Sequence, residues 1–172
     1  MNNLEGFPKI VTGSVDISFN KLKSLEFCPT QVHGNFTSMH NLNVDLVGSP
    51  KIVNGTYTVS SSKLKSLEGS PDKVKDYILE DLKGTKLVNL EGITQKINNL
   101  SIDCISLKSL KGIPSQIDGD FTLLNNSVKY SEFVKYHPKT IKGDFKLLRG
   151  QHPANEDAIR NIIDVKGDII FL

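Results

Sequence analysis

Two cysteines and four histidines are the side chains best suited to nucleophilic or metal chemistry in this chain of 172 residues. A thiolate at Cys28 would be a nucleophile, and histidines grouped with cysteines or carboxylates would bind zinc. No histidine has such a partner at zinc-ligand spacing, and both Cys28 and Cys104 occupy positions of a sequence repeat that other residue types fill elsewhere. We therefore expect inert free thiols in a reducing compartment, no metal, no cofactor and no enzymatic activity.

The repeat that contains these cysteines dominates the sequence. LEGFP at residues 4–8 returns as LEFCP at 25, LVGSP at 46, LEGSP at 67, LEGIT at 90 and LKGIP at 110, with spacings of 21, 21, 21, 23 and 20 residues. Self-similarity at this period indicates a solenoid, in which stacked units share one core because no unit buries its apolar face alone. A second motif recurs in phase with the first and defines eight units. These units begin at Val11, Val32, Val53, Val74, Ile97, Ile117, Ile141 and Val165.

The pattern inside one unit resembles a known family. Val15, Ile17, Asn20, Leu22 and Leu25 have the spacing LxLxxNxLxxL. On these residues the chain resembles the leucine-rich repeat family, and its short period looks most like the bacterial and phage-encoded members with repeats of roughly 20 residues. The resemblance implies an α/β solenoid, with a stack of about eight short parallel strands, a mostly irregular convex side and short helices near the C-terminus.

We expect a single domain over residues 1–172. Regular repeats occupy residues 4–129, and irregular, helix-containing repeats occupy residues 130–172. Within the irregular part, Asn155 stands at a helix N-cap position before two acidic residues and an apolar face of isoleucines, which predicts a short amphipathic helix.

Glycine precedes the first inward strand residue in six units, as at Gly55. Glycine is needed where the backbone has positive φ or where another segment approaches closely. We therefore expect one of these two features at each of these positions.

Side chains that point outward from the predicted strands form the candidate binding surface. Val15 and Ile17 alternate inward, so their neighbours lie on the opposite face. Tyr77 is the largest outward candidate, although two registers are open in its unit, with either Ile78 alone or both Tyr77 and Leu79 pointing inward. The predicted partner-binding residues are Asp16, Thr37, Thr58, Tyr77, Asp120, Leu124, Asp144, Leu148 and Asp168.

Two columns on this surface each have two interpretations. The acidic column is either part of the binding surface or bonded locally to the turn after glycine. The apolar column is either a partner site or a stripe that the irregular C-terminal segments cover. The acidic column is Asp120, Asp144 and Asp168, and the apolar column is Leu124, Leu148 and Leu172.

The last strand suggests an alternative function. Residues 167–172 form an apolar strand with an unpaired edge, so we expect two copies to pair antiparallel in a homodimer. In this alternative the chain is a self-associating structural protein joined through its terminal strands. The predicted self-association residues are Ile169, Ile170, Phe171 and Leu172.

Charge and hydropathy narrow the range of partners. The formal net charge is +2, from 21 basic and 19 acidic residues, and the scattered charges and the acidic column disfavour nucleic acid. No apolar run reaches 18 residues and no basic start precedes an apolar stretch, so we expect neither a membrane span nor a signal peptide. We expect a cytoplasmic protein, in the host cytoplasm if a phage encodes it.

The leading expectation is a non-enzymatic protein-binding module that presents a curved parallel sheet to one macromolecular partner. A small lysine- and asparagine-rich protein made of such repeats looks like an accessory protein of a phage or an AT-rich bacterium. Such a protein would regulate or inhibit a host factor. The partner itself is not specified by any motif in the sequence.

Overall fold

The chain winds into a parallel β-solenoid with few short helices. The computed structural model describes residues 3–80, 85–149 and 155–172. Each coil places a strand segment beside the equivalent segment of the next coil, and every described strand pairing is parallel. The predicted stack of about eight parallel strands with mostly irregular connections is confirmed.

The elements are short because the chain turns several times in each coil. In the described residues the strands are β1 Ile10–Val11, β2 Val15–Asp16, β3 Gln31–Val32, β4 Phe36–Asn41, β5 Ile52–Ser61, β6 Lys73–Glu80, β7 Asn99–Asp103, β8 Gln116–Ile117, β9 Phe121–Leu124, β10 Thr140–Ile141, β11 Phe145–Leu147, β12 Asp164–Val165 and β13 Ile169–Phe171. The helices are α1 Tyr130–Lys135 and α2 Glu156–Arg160.

Two sheets follow the solenoid axis. The main sheet has the order β1-β3-β5-β6-β7-β9-β11-β13, with β2 and β4 joined to it through β5, and the second sheet has the order β12-β10-β8. Most coils contain two short strands with a bend between them. Strands β5 and β6 instead continue through this corner as single longer strands. The two sheets and the LEGxP side therefore enclose one core.

The core consists of stacked columns of side chains. Aromatic rings from adjacent coils lie parallel, with centroids 5.4 Å apart for Phe36 and Tyr57 and 5.0 Å apart for Phe121 and Phe145. Each fully buried leucine or phenylalanine contributes roughly 1.5–3 kcal/mol. Two leucine columns close the core from the LEGxP side: Leu22, Leu64, Leu87, Leu107 and Val128, and beside them Leu25, Leu46, Leu67, Leu90 and Leu110.

The LEGxP turn needs glycine for two reasons. Gly69 has φ +87°, and a Cβ there would lie about 2.5 Å from the backbone of Leu46 in the preceding coil. Phe27 adopts the same left-handed backbone, with φ +67°, without being glycine. The described glycines with positive φ thus all lie in this turn, while Phe19, His40 and Asn125 adopt positive φ elsewhere in the repeat.

A polar residue before the turn holds the LEGxP segment in place in the five coils that begin this motif at Leu25, Leu46, Leu67, Leu90 and Leu110. Its side chain accepts a hydrogen bond from the N–H two residues on, for example from Glu68 to Ser66 at 3.0 Å and from Glu91 to Asn89 at 3.0 Å. Such local bonds favour turns over regular structure. The same bond occurs at Ser24, Asp45 and Ser109.

The C-terminal helices replace this turn in the last coils. Helix α1 buries Phe133, whose ring lies 6.2 Å from that of Phe145. Helix α2 begins after Asn155, whose Oδ1 accepts the N–H of Ala158 at 2.9 Å, and it buries Ile159. The predicted amphipathic helix with this N-cap is confirmed.

Five of the six glycines before the strand permit a close approach between coils, whereas the expectation is wrong at Gly13, which has neither a close neighbour nor positive φ because no described coil precedes it. Gly55 does not have positive φ, but a Cβ there would overlap Asn35 Oδ1 and lie within 3.0 Å of the Gly34 carbonyl group. Of the two features expected at Gly55, the close approach is therefore the one present.

We predict that Gly55→Val lowers the free energy of unfolding by about 1–3 kcal/mol, because the new side chain separates two coils. The measurement is urea denaturation followed by circular dichroism. Thr58→Val is the matched control, since Thr58 lies half-exposed on the outward side of the same strand. A larger loss at Thr58 than at Gly55 would contradict this packing.

Asn43 interrupts a leucine column. Its side chain is fully buried, and its Nδ2 donates to the Asp45 carbonyl at 2.8 Å. Its Oδ1 has no hydrogen-bond partner within the described part of the chain. The equivalent positions of the neighbouring coils hold Leu22 and Leu64.

We predict that Asn43→Leu raises the free energy of unfolding by about 1 kcal/mol, because an unpaired buried carbonyl costs roughly 1–3 kcal/mol. Urea denaturation provides the measurement, and Leu64→Asn is the opposite control, expected to destabilise. A midpoint at or below that of the wild type would mean that the bond from Asn43 to Asp45 outweighs the unpaired carbonyl.

Candidate functional site

The strand face is the outward side of the main sheet, and its side chains form three rows along the stack. The pairing register aligns one residue from each coil in a row. The first row lies directly before the first inward residue of each strand segment. Its members are Ser14, Asn35, Thr56, Asp76, Asn99, Asp120, Asp144 and Asp168.

The first row is a ladder of hydrogen bonds between coils. Asp120 Oδ1 accepts the N–H of Asp144, and Asp144 Oδ1 accepts the N–H of Asp168, each at 2.9 Å. Asn35 and Asn99 make the same bond to the first-row residue of the next coil, at 2.9 Å and 2.8 Å. These side chains satisfy backbone donors of the neighbouring coil.

The acidic column is therefore engaged in coil packing. The local turn bond expected after glycine is replaced by a bond to the next coil. Asp120 also forms an ion pair with Lys146 at 2.7 Å, and this ammonium group, together with the Asp144 N–H, lowers the pKa of the Asp120 carboxyl. Asp168, at the end of the column, is exposed.

Tyr77 does not belong to the strand face, and its prediction as an outward anchor is wrong. Its side chain is fully buried and aligns with Tyr57 in the preceding coil and Leu100 in the following one. Tyr77 lies 20 residues after Tyr57 but 23 residues before Leu100, so the extra residues of this unit follow the strand. Tyr77 and Leu79 point inward, and Ile78 points outward.

The buried tyrosine hydroxyls are paired with serines. The hydroxyls of Tyr77 and Ser70 lie 3.1 Å apart, and those of Tyr57 and Ser49 lie 2.7 Å apart. Burial raises the pKa of both tyrosines, and it raises the pKa of the Cys28 thiol to about 12. These groups remain protonated at neutral pH, and their side chains pack in the core.

The second row has a hydroxyl side chain at four of its eight positions, namely Thr37, Thr58, Ser101 and Thr122. Asp16 is exposed, and hydrogen bonds from the Ser18 side chain and N–H lower the pKa of its carboxyl. Thr37 and Thr58 are half-exposed, as predicted for outward positions. The complete row is Asp16, Thr37, Thr58, Ile78, Ser101, Thr122, Lys146 and Ile170.

The third row becomes apolar in the C-terminal coils. Leu124 and Leu148 are half-exposed and Leu172 is 55% exposed, so these side chains reach solvent. Ile170 of the second row is also half-exposed and lies next to Lys146 across the sheet. We call Leu124, Leu148, Ile170 and Leu172 the apolar stripe.

Strand β13 carries the predicted self-association residues. It pairs in parallel with β11, with Ile169 opposite Phe145 and Phe171 opposite Leu147. Ile169 is buried, while Ile170 and Phe171 are half-exposed. Homodimer formation through this strand stays a prediction.

Within 3–80, 85–149 and 155–172, no three histidine, cysteine or acidic side chains are grouped as metal ligands. His152 lies outside these ranges. Cys28 and Cys104 are free and buried. No helix in the described part of the chain has the length and apolar character needed to cross a bilayer.

No protein-family model matches this chain, and comparisons with curated proteins and with solved structures find no significant match. Its membership of the leucine-rich repeat family stays a prediction from the repeat residues.

We predict that the free energy of unfolding falls as the pH rises above about 9. Cysteine and tyrosine ionise near 8.5 and 10 in an unfolded chain, whereas burial raises the pKa of Cys28, Tyr57 and Tyr77 in the folded state. The stabilising difference is complete below the unfolded pKa values and is lost above them, because the unfolded chain then releases protons that the folded chain retains.

Urea midpoints between about pH 8 and pH 11 test this dependence. Tyr77→Phe, which lacks one of the three ionisable groups, should show a shallower decline than the wild type. Identical slopes for the two proteins would contradict a contribution from Tyr77.

Proposed function

We propose that this chain is a non-enzymatic protein-binding module that contacts a macromolecular partner through the C-terminal half of its strand face. The proposal is carried by the apolar stripe of Leu124, Leu148, Ile170 and Leu172, which reaches solvent on a surface whose other outward side chains are mostly polar. Contiguous exposed apolar groups of this kind are typical of interaction sites.

The surroundings of the stripe support this assignment. Asp103 lies across from Leu124, and Lys146 lies between Thr122 and Ile170 in the second row. Protein interfaces combine an apolar centre with a polar rim, and covering the stripe would contribute roughly 25 cal/mol per Å² of apolar surface. The Lys146–Asp120 ion pair fixes one side of that rim.

The backbone below the stripe is paired along the sheet. Strand β11 is bonded to β9 and to β13, while β13, which carries Ile170, is bonded on one side only, so the backbone near Leu124 and Leu148 has the least freedom left to lose. A preorganised surface loses little ordering entropy on association. This rigidity favours a binding role.

The leucine-rich repeat relationship is part of the same proposal. The buried leucine columns and the inward strand pairs occupy the positions that the repeat residues predict. Regulation or inhibition of a host factor by a phage or bacterial accessory protein in the cytoplasm is the setting that we propose for this binding.

The test compares immobilised wild-type protein with the variant Leu148→Lys/Leu172→Lys in a host lysate. The matched control is Thr37→Lys/Thr58→Lys, which places the same charges on the N-terminal half of the strand face. We expect a protein that the wild type and the control retain and that the stripe variant retains about tenfold less. Equal retention by all three proteins would contradict the proposal.

Self-association is the alternative, and β13 is the observation that favours it, because its half-exposed Ile170 and Phe171 lie at an end of the main sheet. Light scattering of the purified chain separates the two functions. A dimer that Ile170→Lys converts to a monomer would support the alternative, and a monomer at high micromolar concentration would exclude it.

A further inference from the structure

A groove lies between helix α1 and the LEGxP side of the two preceding coils, away from the strand face. It arises because α1 replaces the tight turn and stands out from the solenoid, anchored by the buried Phe133. The groove has a volume of about 810 Å³, and its lining includes Val88, Lys108, Lys111, Lys129, Glu132, Lys135 and Tyr136.

The groove is predominantly basic. It contains four lysines and one glutamate, and Lys111 is already paired with Glu91 at 2.8 Å. Lys108, Lys129 and Lys135 form no salt bridge with any described residue. Three ammonium groups therefore face the groove without an acidic partner, on a protein whose net charge is only +2.

The floor of the groove is apolar and fixed. Val88 is 46% exposed, at a position where the neighbouring coils have Lys65 and Lys108. Its carbonyl oxygen accepts hydrogen bonds from the N–H groups of Lys108 and Ser109 at 3.0 Å and 3.1 Å. These bonds fix the position of the Val88 backbone. Tyr136 is half-buried at the other side.

We propose that this groove binds an acidic segment of a partner protein, with carboxylates at Lys108, Lys129 and Lys135 and an apolar side chain over Val88. Charge complementarity selects an anionic ligand, and the exposed valine selects one that also has an apolar group. This surface is separate from the apolar stripe, so the proposal does not rest on the strand-face function.

A peptide fits the groove better than a nucleic acid does. A phosphate backbone would bring repeated negative charge next to Glu132 and Glu91. The Lys135 ammonium lies over the Tyr136 ring, 4.9 Å from its centroid, so a base would have to compete with it for stacking on that face. A peptide can place its carboxylates only where the lysines are.

The test measures fluorescence anisotropy with a short labelled peptide that contains several glutamates and one central leucine. The comparison probes are the same peptide with glutamine in place of glutamate, and a single-stranded oligonucleotide of equal charge. We expect the acidic peptide to bind and the glutamine peptide to bind at least about tenfold more weakly.

Variants then locate the site. Lys108→Gln/Lys129→Gln should weaken binding of the acidic peptide about tenfold, and Val88→Ser should weaken it a few-fold. The matched control Lys23→Gln/Lys65→Gln removes two exposed lysines from the same side of earlier coils and should leave affinity unchanged. Circular dichroism confirms that each variant is folded.

Three results would overturn the proposal. The first is no saturable binding of the acidic peptide, and the second is an equal loss in the control variant, which would indicate unspecific attraction. The third is tighter binding of the oligonucleotide that the Lys108→Gln/Lys129→Gln variant abolishes, which would make the groove a nucleic-acid site.

Discussion

The close approach of neighbouring coils at the corner before the strand face is the constraint on which the rest of this structure depends. At Gly143 a Cβ would collide with Asp120 Oδ1, the atom that accepts the N–H of Asp144. The glycine and the carboxylate therefore act together, because the absence of a glycine side chain leaves room for the hydrogen bond between coils. At Gly55 and Gly143 the inward aromatic rings of adjacent coils stack in parallel, and the outward rows keep their register.

This pairing of a glycine with a first-row side chain also limits which outward side chains are available for binding. First-row residues use an oxygen on the neighbouring coil, as Asn35 and Asn99 do, so their side chains hold the solenoid together. Recognition of a partner would then depend on the second and third rows, because the repeat does not fix the residue type at their positions. The apolar stripe lies in those rows, as expected if the first row serves packing and the others serve function.

The sequence predicted the repeat architecture well because its signals are local and recur in every coil. Inward pairs such as Val15 and Ile17, and the N-cap at Asn155, needed only period and residue type. Tyr77 was misplaced because its unit has one residue fewer before the strand, with two steps from Val74 to Asp76 against three from Val53 to Thr56, and only the pairing with Tyr57 and Leu100 reveals this shift.

Contacts between coils were harder to predict. An aspartate after glycine also suits a local turn, so Asp120 gave no sign that its partner stands 24 residues away. The groove beside α1 was not predicted at all, since it requires knowing that Phe133 anchors the helix beside Val88 and Lys108.

The exceptions to the repeat are the most informative residues for function. Val88 stands where neighbouring coils expose lysine, and Leu124 and Leu148 stand where earlier coils have Ser18 and Met39. An apolar side chain at an outward position contributes nothing to the stacking of coils, and its exposure has an unfavourable hydration free energy. Asn43 is the opposite case, a polar residue at an inward position, with an unpaired carbonyl that costs stability. Val88 lies at the groove and the outward leucines form the apolar stripe, on two different sides of the solenoid, so the two proposed binding surfaces would not compete for the same partner segment.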